Sequence, residues 1–153
     1  MPKTIRQQLN EEILAQAQTI LPANDYNHDL GTRAFLGHPF FSTDLVPCLI
    51  MVPGIDQGNV QYGVQVHVSE WECYAIVQVP EDRSLIPSVI EEVMGDLIRG
   101  IIGGRGNVSL AEAIGYIQSG PMEYPGQADQ IIRIQFNFEV EFHTVIGDPY
   151  TQA

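Results

Sequence analysis

Basic side chains are scarce in this chain. Lys and Arg number 7 against 19 Asp and Glu, a formal net charge of −12 at pH 7. Lys3, Arg6, Arg33, Arg83, Arg99, Arg105 and Arg133 are scattered singly. A nucleic-acid grip needs clustered Lys and Arg against phosphates, so that class is excluded. Such an excess of acids repels DNA, and on charge alone it equally well just keeps a surface soluble. Cysteine is also nearly absent. Cys48 and Cys73 each sit in strand-like apolar sequence and read most simply as buried thiols, ahead of a disulfide or a metal site. No apolar run approaches the length of a membrane span. The opening "MPKTIRQQLNEEILAQ" lacks the apolar segment of a secretory leader, so a cytoplasmic product with no membrane partner is expected.

What is present is a globular composition. Hydrophobic residues make up 44% and charged residues 17% of 153, which suits one domain with a real core. Thr4 to Leu21 reads as a helix, with an apolar stripe of Ile5, Leu9, Ile13, Ala17, Ile20 and Leu21. Thr4 followed by Gln7 matches a capping box, and Pro22 stops the helix. Residues 23–44 have no clear period, and the spacing predicts an irregular loop pinned by phenylalanines, or a partner-contacting arm. "VPCLIMV" (46–52) suggests a buried strand, after which "PGIDQGN" turns the chain. From Val60 the alternation runs through Tyr62, Val64, Val66 and Val68. It restarts after Glu70 at Trp71, Cys73, Ala75, Val77 and Val79. The reading is two strands joined by a hairpin near Ser69–Glu70, or else one bulged strand. Residues 84–102 carry a helical stripe from Val89 to Ile102, closed by Gly103 and Gly104. "VSLAEAIGYIQSG" reads as a brief turn and then a strand.

The last element is the most regular. Ile132, Ile134, Phe136, Phe138, Val140 and Phe142 alternate with Arg133, Gln135, Asn137, Glu139, Glu141 and His143. A period of two means a strand with one dry and one wet face. At about 3.3 Å per residue it spans roughly 40 Å, where a usual strand has about 5–6 residues. The order of elements predicts an α+β fold, a mostly antiparallel sheet with two main helices packed on one face.

Motifs that carry chemistry do not survive inspection. In "DYNHDLG", Asp25, Asn27 and Asp29 alternate as in a calcium loop. The glycine falls one place late, at Gly31, and Leu36 stands where a bidentate Glu is required. "GGRGN" follows its helix, whereas phosphate loops precede theirs. There is no G-x-S-x-G and no catalytic cysteine signature. Glu11–Glu12 and Glu91–Glu92 are adjacent on helices, so each pair splays apart. His143, Glu141 and Glu139 share a strand face, which reads as a solvated or interface face ahead of a metal site. Asn107-Val-Ser109 is a glycosylation triplet with no meaning in the absence of secretion. The expectation is no enzyme, no cofactor and no metal.

The succession "TIRQQLNEEIL", a valine-rich strand pair, "SLIPSVIEEVMGDLIRGIIGG", "VSLAEAIGYIQSGPMEY" and the closing "FNFEVEFHTVIGDPYTQ" resembles the tail terminator proteins of long-tailed bacteriophages. These are also called tail completion or minor tail protein U-like proteins. Chains of that family often end in a strand followed by a Gly-Asp-Pro tail, here Gly147, Asp148 and Pro149. The likeness covers most of the chain in element order and length; its motifs are soft, and 23–44 fits it least.

The resemblance implies one domain over 1–153, with an extended tail at 146–153. It implies a homo-oligomeric ring, usually six-fold, on the head-proximal end of the tail tube. The ring would touch the tube protein, the neck or connector protein and, in contractile tails, the sheath. It would belong to the virion, assembled in the host cytoplasm, with DNA passing its lumen without specific binding. Phe40, Phe41, Arg133, Gln135, Glu139, Glu141, His143, Asp148, Pro149 and Tyr150 are the residues expected at its contacts. Another neck component, such as a head–tail stopper, is an alternative within the same class. A small cytoplasmic enzyme or ligand-binding domain is the alternative outside it.

Overall fold

The computed structural model describes residues 1–37 and 45–153. It has the expected α+β architecture. Helix α1 spans Ile5–Ala17 and helix α2 Ile86–Leu97. The strands are β1 (Ala34–Leu36), β2 (Cys48–Gln61), β3 (Val64–Gln78), β4 (Ala113–Pro121), β5 (Ile131–Val145) and β6 (Asp148–Gln152). They form one sheet in the order β1-β2-β3-β5-β4, with β6 also on β5. Every pairing is antiparallel except that of β1 with β2.

The long strand β5 lies inside the sheet, between β3 and β4. The whole apolar set from Ile132 to Phe142 is buried. It packs with Trp71, Cys73, Ala75 and Val77 of β3 and with Leu49 and Met51 of β2, under the stripes of both helices. Among the described residues, no helix lies on the other sheet face. It carries a smaller apolar cluster of Cys48, Ile50, Tyr74 and Ile76.

The helices start and stop for local reasons. Gln7 N–H donates to Thr4 Oγ1 at 3.1 Å and Thr4 N–H to Gln7 Oε1 at 2.9 Å, the expected capping box. α1 ends earlier than its stripe, because residues 18–21 close tight turns that tuck Ile20 into the core. The second helical stripe also divides. α2 proper ends at Leu97, and Ile98–Ile102 continues as a wider π turn, with Gly103 N–H reaching back to Ile98 O at 3.0 Å.

Four expectations are corrected. First, β3 is one unbroken strand, and no hairpin falls at Ser69–Glu70. The turn lies at Tyr62–Gly63, where both residues have positive φ (51° and 78°), the pattern of a tight two-residue hairpin. Second, "PGIDQGN" does not end β2. A bulge between Pro53 and Asp56 absorbs it, and Gly54 there lies so close to the Glu70 carbonyl that a Cβ would collide. Third, in the described part of the 23–44 segment a buried carboxylate does the pinning, and the phenylalanine present there, Phe35, is exposed. Asp96 of α2 accepts from His28 N–H at 2.8 Å and Asn27 N–H at 3.2 Å, and β1 follows. Fourth, the chain after Val145 does not run on as a tail. It folds back as β6, with Thr144 opposite Gln152.

Candidate functional site

The polar residues of β5 lie on the face without helices. Arg133 and Glu139 are exposed there, and Gln135, Glu141 and His143 are half-buried. Gln135 Nε2 donates to Asn137 Oδ1 at 3.2 Å. His143 sits between two carboxylates, with Glu112 and Glu141 each 3.9 Å from a ring nitrogen. Asp148, Pro149 and Tyr150 lie on β6, at the end where the β5–β6 turn leaves Val145 and Ile146 exposed. In β6, hydrogen bonds from the Thr151 side chain and from Tyr150 N–H hold the Asp148 carboxyl below its usual range. Phe40 and Phe41 lie outside the described residues.

The β5 acids have neighbours that the sequence reading missed. Glu70 of β3 stands directly opposite Glu139, and Glu72 opposite Asn137. Together they line a shallow depression of about 460 Å³, floored by Val52 and Val68. The signal was present, since Glu70 and Glu72 are two apart. Breaking β3 at Ser69–Glu70 left their face unassigned. Tyr74 Oη donates to Glu72 at 2.6 Å, and this bond, with burial, pushes the phenol up to about 12. Ionised carboxylates only accept hydrogen bonds, so this surface repels phosphate and favours basic or hydrogen-bond-donating partners.

Opposite this face, at the hairpin end of the sheet, is a second polar cluster. His67 Nδ1 meets Asp56 Oδ2 at 2.8 Å, and its Nε2 meets Thr144 Oγ1 at 2.8 Å. The imidazole stacks flat on Phe142, with ring centroids 4.5 Å apart. The order carboxylate, imidazole, hydroxyl matches a hydrolytic triad, but Thr144 is only 3% exposed. A substrate carbonyl needs access to that hydroxyl, so the arrangement serves as a clamp tying β2, β3 and β5 together. Both cysteines are free and buried, and burial pushes each thiol up. Among the described residues, no group of three His, Cys, Asp or Glu is placed to hold a metal ion. Nor is any helix among them long and apolar enough to cross a membrane.

The fold and this surface define a class: an α+β protein whose sheet has one face covered by helices and the other, among the described residues, carrying glutamates beside a small apolar cluster. Comparison with known proteins gives no family to narrow it, as neither a family model nor a curated protein matches the chain.

Proposed function

We propose that this chain is a structural protein of a long-tailed phage virion, a tail terminator that closes as a ring on the head-proximal end of the tail tube. There it would stop tube growth and join tail to neck. The resemblance in element order and ending supplies the family. The observation that carries the reading is the bare sheet face, with Glu70, Glu72, Glu139 and Glu141 on a broad strand surface. Carboxylates facing a lumen repel DNA within a reach of about 8 Å at physiological salt. That lowers friction on a passing duplex without binding it.

The experiment is light scattering over a concentration series, with negative-stain imaging of any large species and sedimentation with polymerised tail tubes. A particle near six times 17.0 kDa with an open centre, or capping of tube ends, is expected. A chain that stays monomeric and ignores tubes would overturn the reading. Deleting residues 147–153 removes β6, whose hold on β5 is short: the register pairs Thr144–Gln152 and Val145–Asp148, and Ala153 N–H to His143 O at 3.4 Å. The truncated chain is expected to stay folded and attach more weakly.

A further inference from the structure

The sheet has two open edges. β1 covers β2 only from Leu49 to Met51, so among the described residues no further strand pairs with the outer side of β2 from Val52 to Gln61, where the Arg6 guanidinium donates to Gly54 O. On the opposite side, β4 is the last strand from Ala113 to Pro121. Natural sheets usually blunt such edges with lysine, other charges or proline. Here β4 reads "AIGYIQSGP", with no charged side chain and with Tyr116 and Ile117 exposed. The outer half of β2 has one charge, Asp56, engaged by His67, and one proline, Pro53, at the end next to β1's cover. Ile55 and Val60 are exposed beside it. Each edge is bent once by a bulge, at Gly54–Ile55 and at Ile117.

We propose that copies of this chain join head to tail through these edges, β4 of one copy pairing with the outer half of β2 of the next. This rests on the ring reading and names the contact that would close the ring. Direction favours a second copy. β2, β3, β5 and β4 alternate in direction, so continuing the sheet sets β4 beside the next β2 in an antiparallel pair, like the rest of the sheet. Charge favours it as well. Two chains of net charge −12 repel, and close approach is cheapest where carboxylates are missing. A basic partner would be drawn to the glutamate face instead.

Register adds a geometric consequence. β4 lies level with β5 from Ile134 to Glu141, and through β3 with β2 from Leu49 to Gln57. β1 occupies the lower part of that level, so the join slides toward the Tyr62–Gly63 tip. A constant stagger of this kind is what closes a repeating sheet into a barrel. The edges of one copy are heterologous, which gives a ring when the rotation closes.

The test uses one block on each edge. Ile117→Pro and Ile55→Pro fall at bulge residues without a register partner, so each spares the chain's own ladder. Thermal melts establish that each variant folds, with Ile117→Lys and Ile55→Lys as replacements where one does not. Each variant alone is expected to remain a monomer at concentrations where the wild type assembles. An equal mixture is expected to give a dimer and nothing larger, because one good edge of each kind remains. Where the wild type assembles only on tail tubes, tube sedimentation reads the same comparison. Assembly of either variant alone at the wild-type level, or a mixture without dimer, overturns the edge contact and leaves the ring reading standing. A wild type that never assembles, in solution or on tubes, overturns both.

Discussion

The two halves of β3 carry opposite polarity. In the half from Trp71 to Val77, Trp71, Cys73, Ala75 and Val77 face the helices, and all four are buried. From Val64 to Val68 the valines face the other way, and Gln65, His67 and Ser69 take the helix side. The pairing of β3 with β5 runs without a shift from Gln65–Thr144 to Gln78–Ile131, so no bulge in β3 causes the inversion. The change falls at the level where α1 begins, beside the β2 bulge, where the Arg6 guanidinium donates to Gly54 O, and there the Asp56–His67–Thr144 clamp takes over the helix side of β3. The body of the sheet is held by apolar burial, and the projecting arm by the Asp56–His67–Thr144 clamp.

That contrast predicts unequal losses on truncating side chains. Phe138 is fully buried and stacks on Trp71, with ring centroids 5.4 Å apart. Phe138→Ala should cost about 3–5 kcal/mol, counting the cavity it leaves. Val66, in the arm, should cost about 1–2 kcal/mol as alanine, from lost transfer energy alone. Guanidinium unfolding of the two variants checks the difference, and equal losses would mean that arm and body form one uniformly packed core.

His67→Ala comes next in size, at about 1–3 kcal/mol, because it strands the buried Thr144 hydroxyl. The informative reading is its location. Amide exchange should rise across residues 56–69 and 142–145 and stay unchanged under the helices. A uniform rise over the body would show that the clamp supports the whole sheet and not the arm.

The body was legible in the sequence and the arm was not, for one reason. Periodicity reports which side is dry, and it reads cleanly where one cover extends along the element. In β5 the cover is continuous, so Ile132 to Phe142 gave the strand, its length and its buried face. In β3 the helix side turns from apolar to polar midway, and that phase change at Ser69–Glu70 looked like a break in the chain. The turn signals of "PGIDQGN" went into a bulge, and the true turn at Tyr62–Gly63 lacked the usual Asn-Gly or Asp-Gly pair. Asp96 holding Asn27 and His28 is a contact across 69 and 68 residues of sequence, which local pattern does not carry. The candidate site was half legible for the same cause. Its β5 residues followed from alternation, and Glu70 and Glu72 were lost with the strand that bears them.

On the bare face, Tyr74 provides a pH handle. Its phenol is raised from 10.0 to about 12, chiefly by the hydrogen bond to Glu72 and then by burial. A raised folded value contributes stability that is complete below pH 10 and is lost as pH rises through about 12. An ultraviolet titration should show a tyrosinate step near 12 that Tyr74→Phe abolishes and that Glu72→Gln moves down toward 10.0. A step near 12 that persists in Tyr74→Phe would assign it to another residue.

The smallest expected effect has the opposite sign. Glu70 and Glu139 stand directly opposite each other on neighbouring strands. Like charges in that position destabilise a sheet by about 0.2–1 kcal/mol. The polar contact Glu70 does have, from Asn137 Nδ2, is long at 3.5 Å. Glu139→Gln should therefore stabilise the folded chain, by an amount that shrinks as salt shortens the Debye length from about 10 Å at 0.1 M to about 3 Å at 1 M. Phe138→Ala, one residue away on the covered face, should show no such salt dependence. If Glu139→Gln stabilises at low salt and also makes assembled rings retain DNA, the two results share a cause. The face would then keep its carboxylates at the expense of the monomer because repulsion of a phosphate backbone is their use. If the substitution leaves low-salt stability unchanged, solvent already screens the pair, and the acids on this face exact no toll that a function would need to explain.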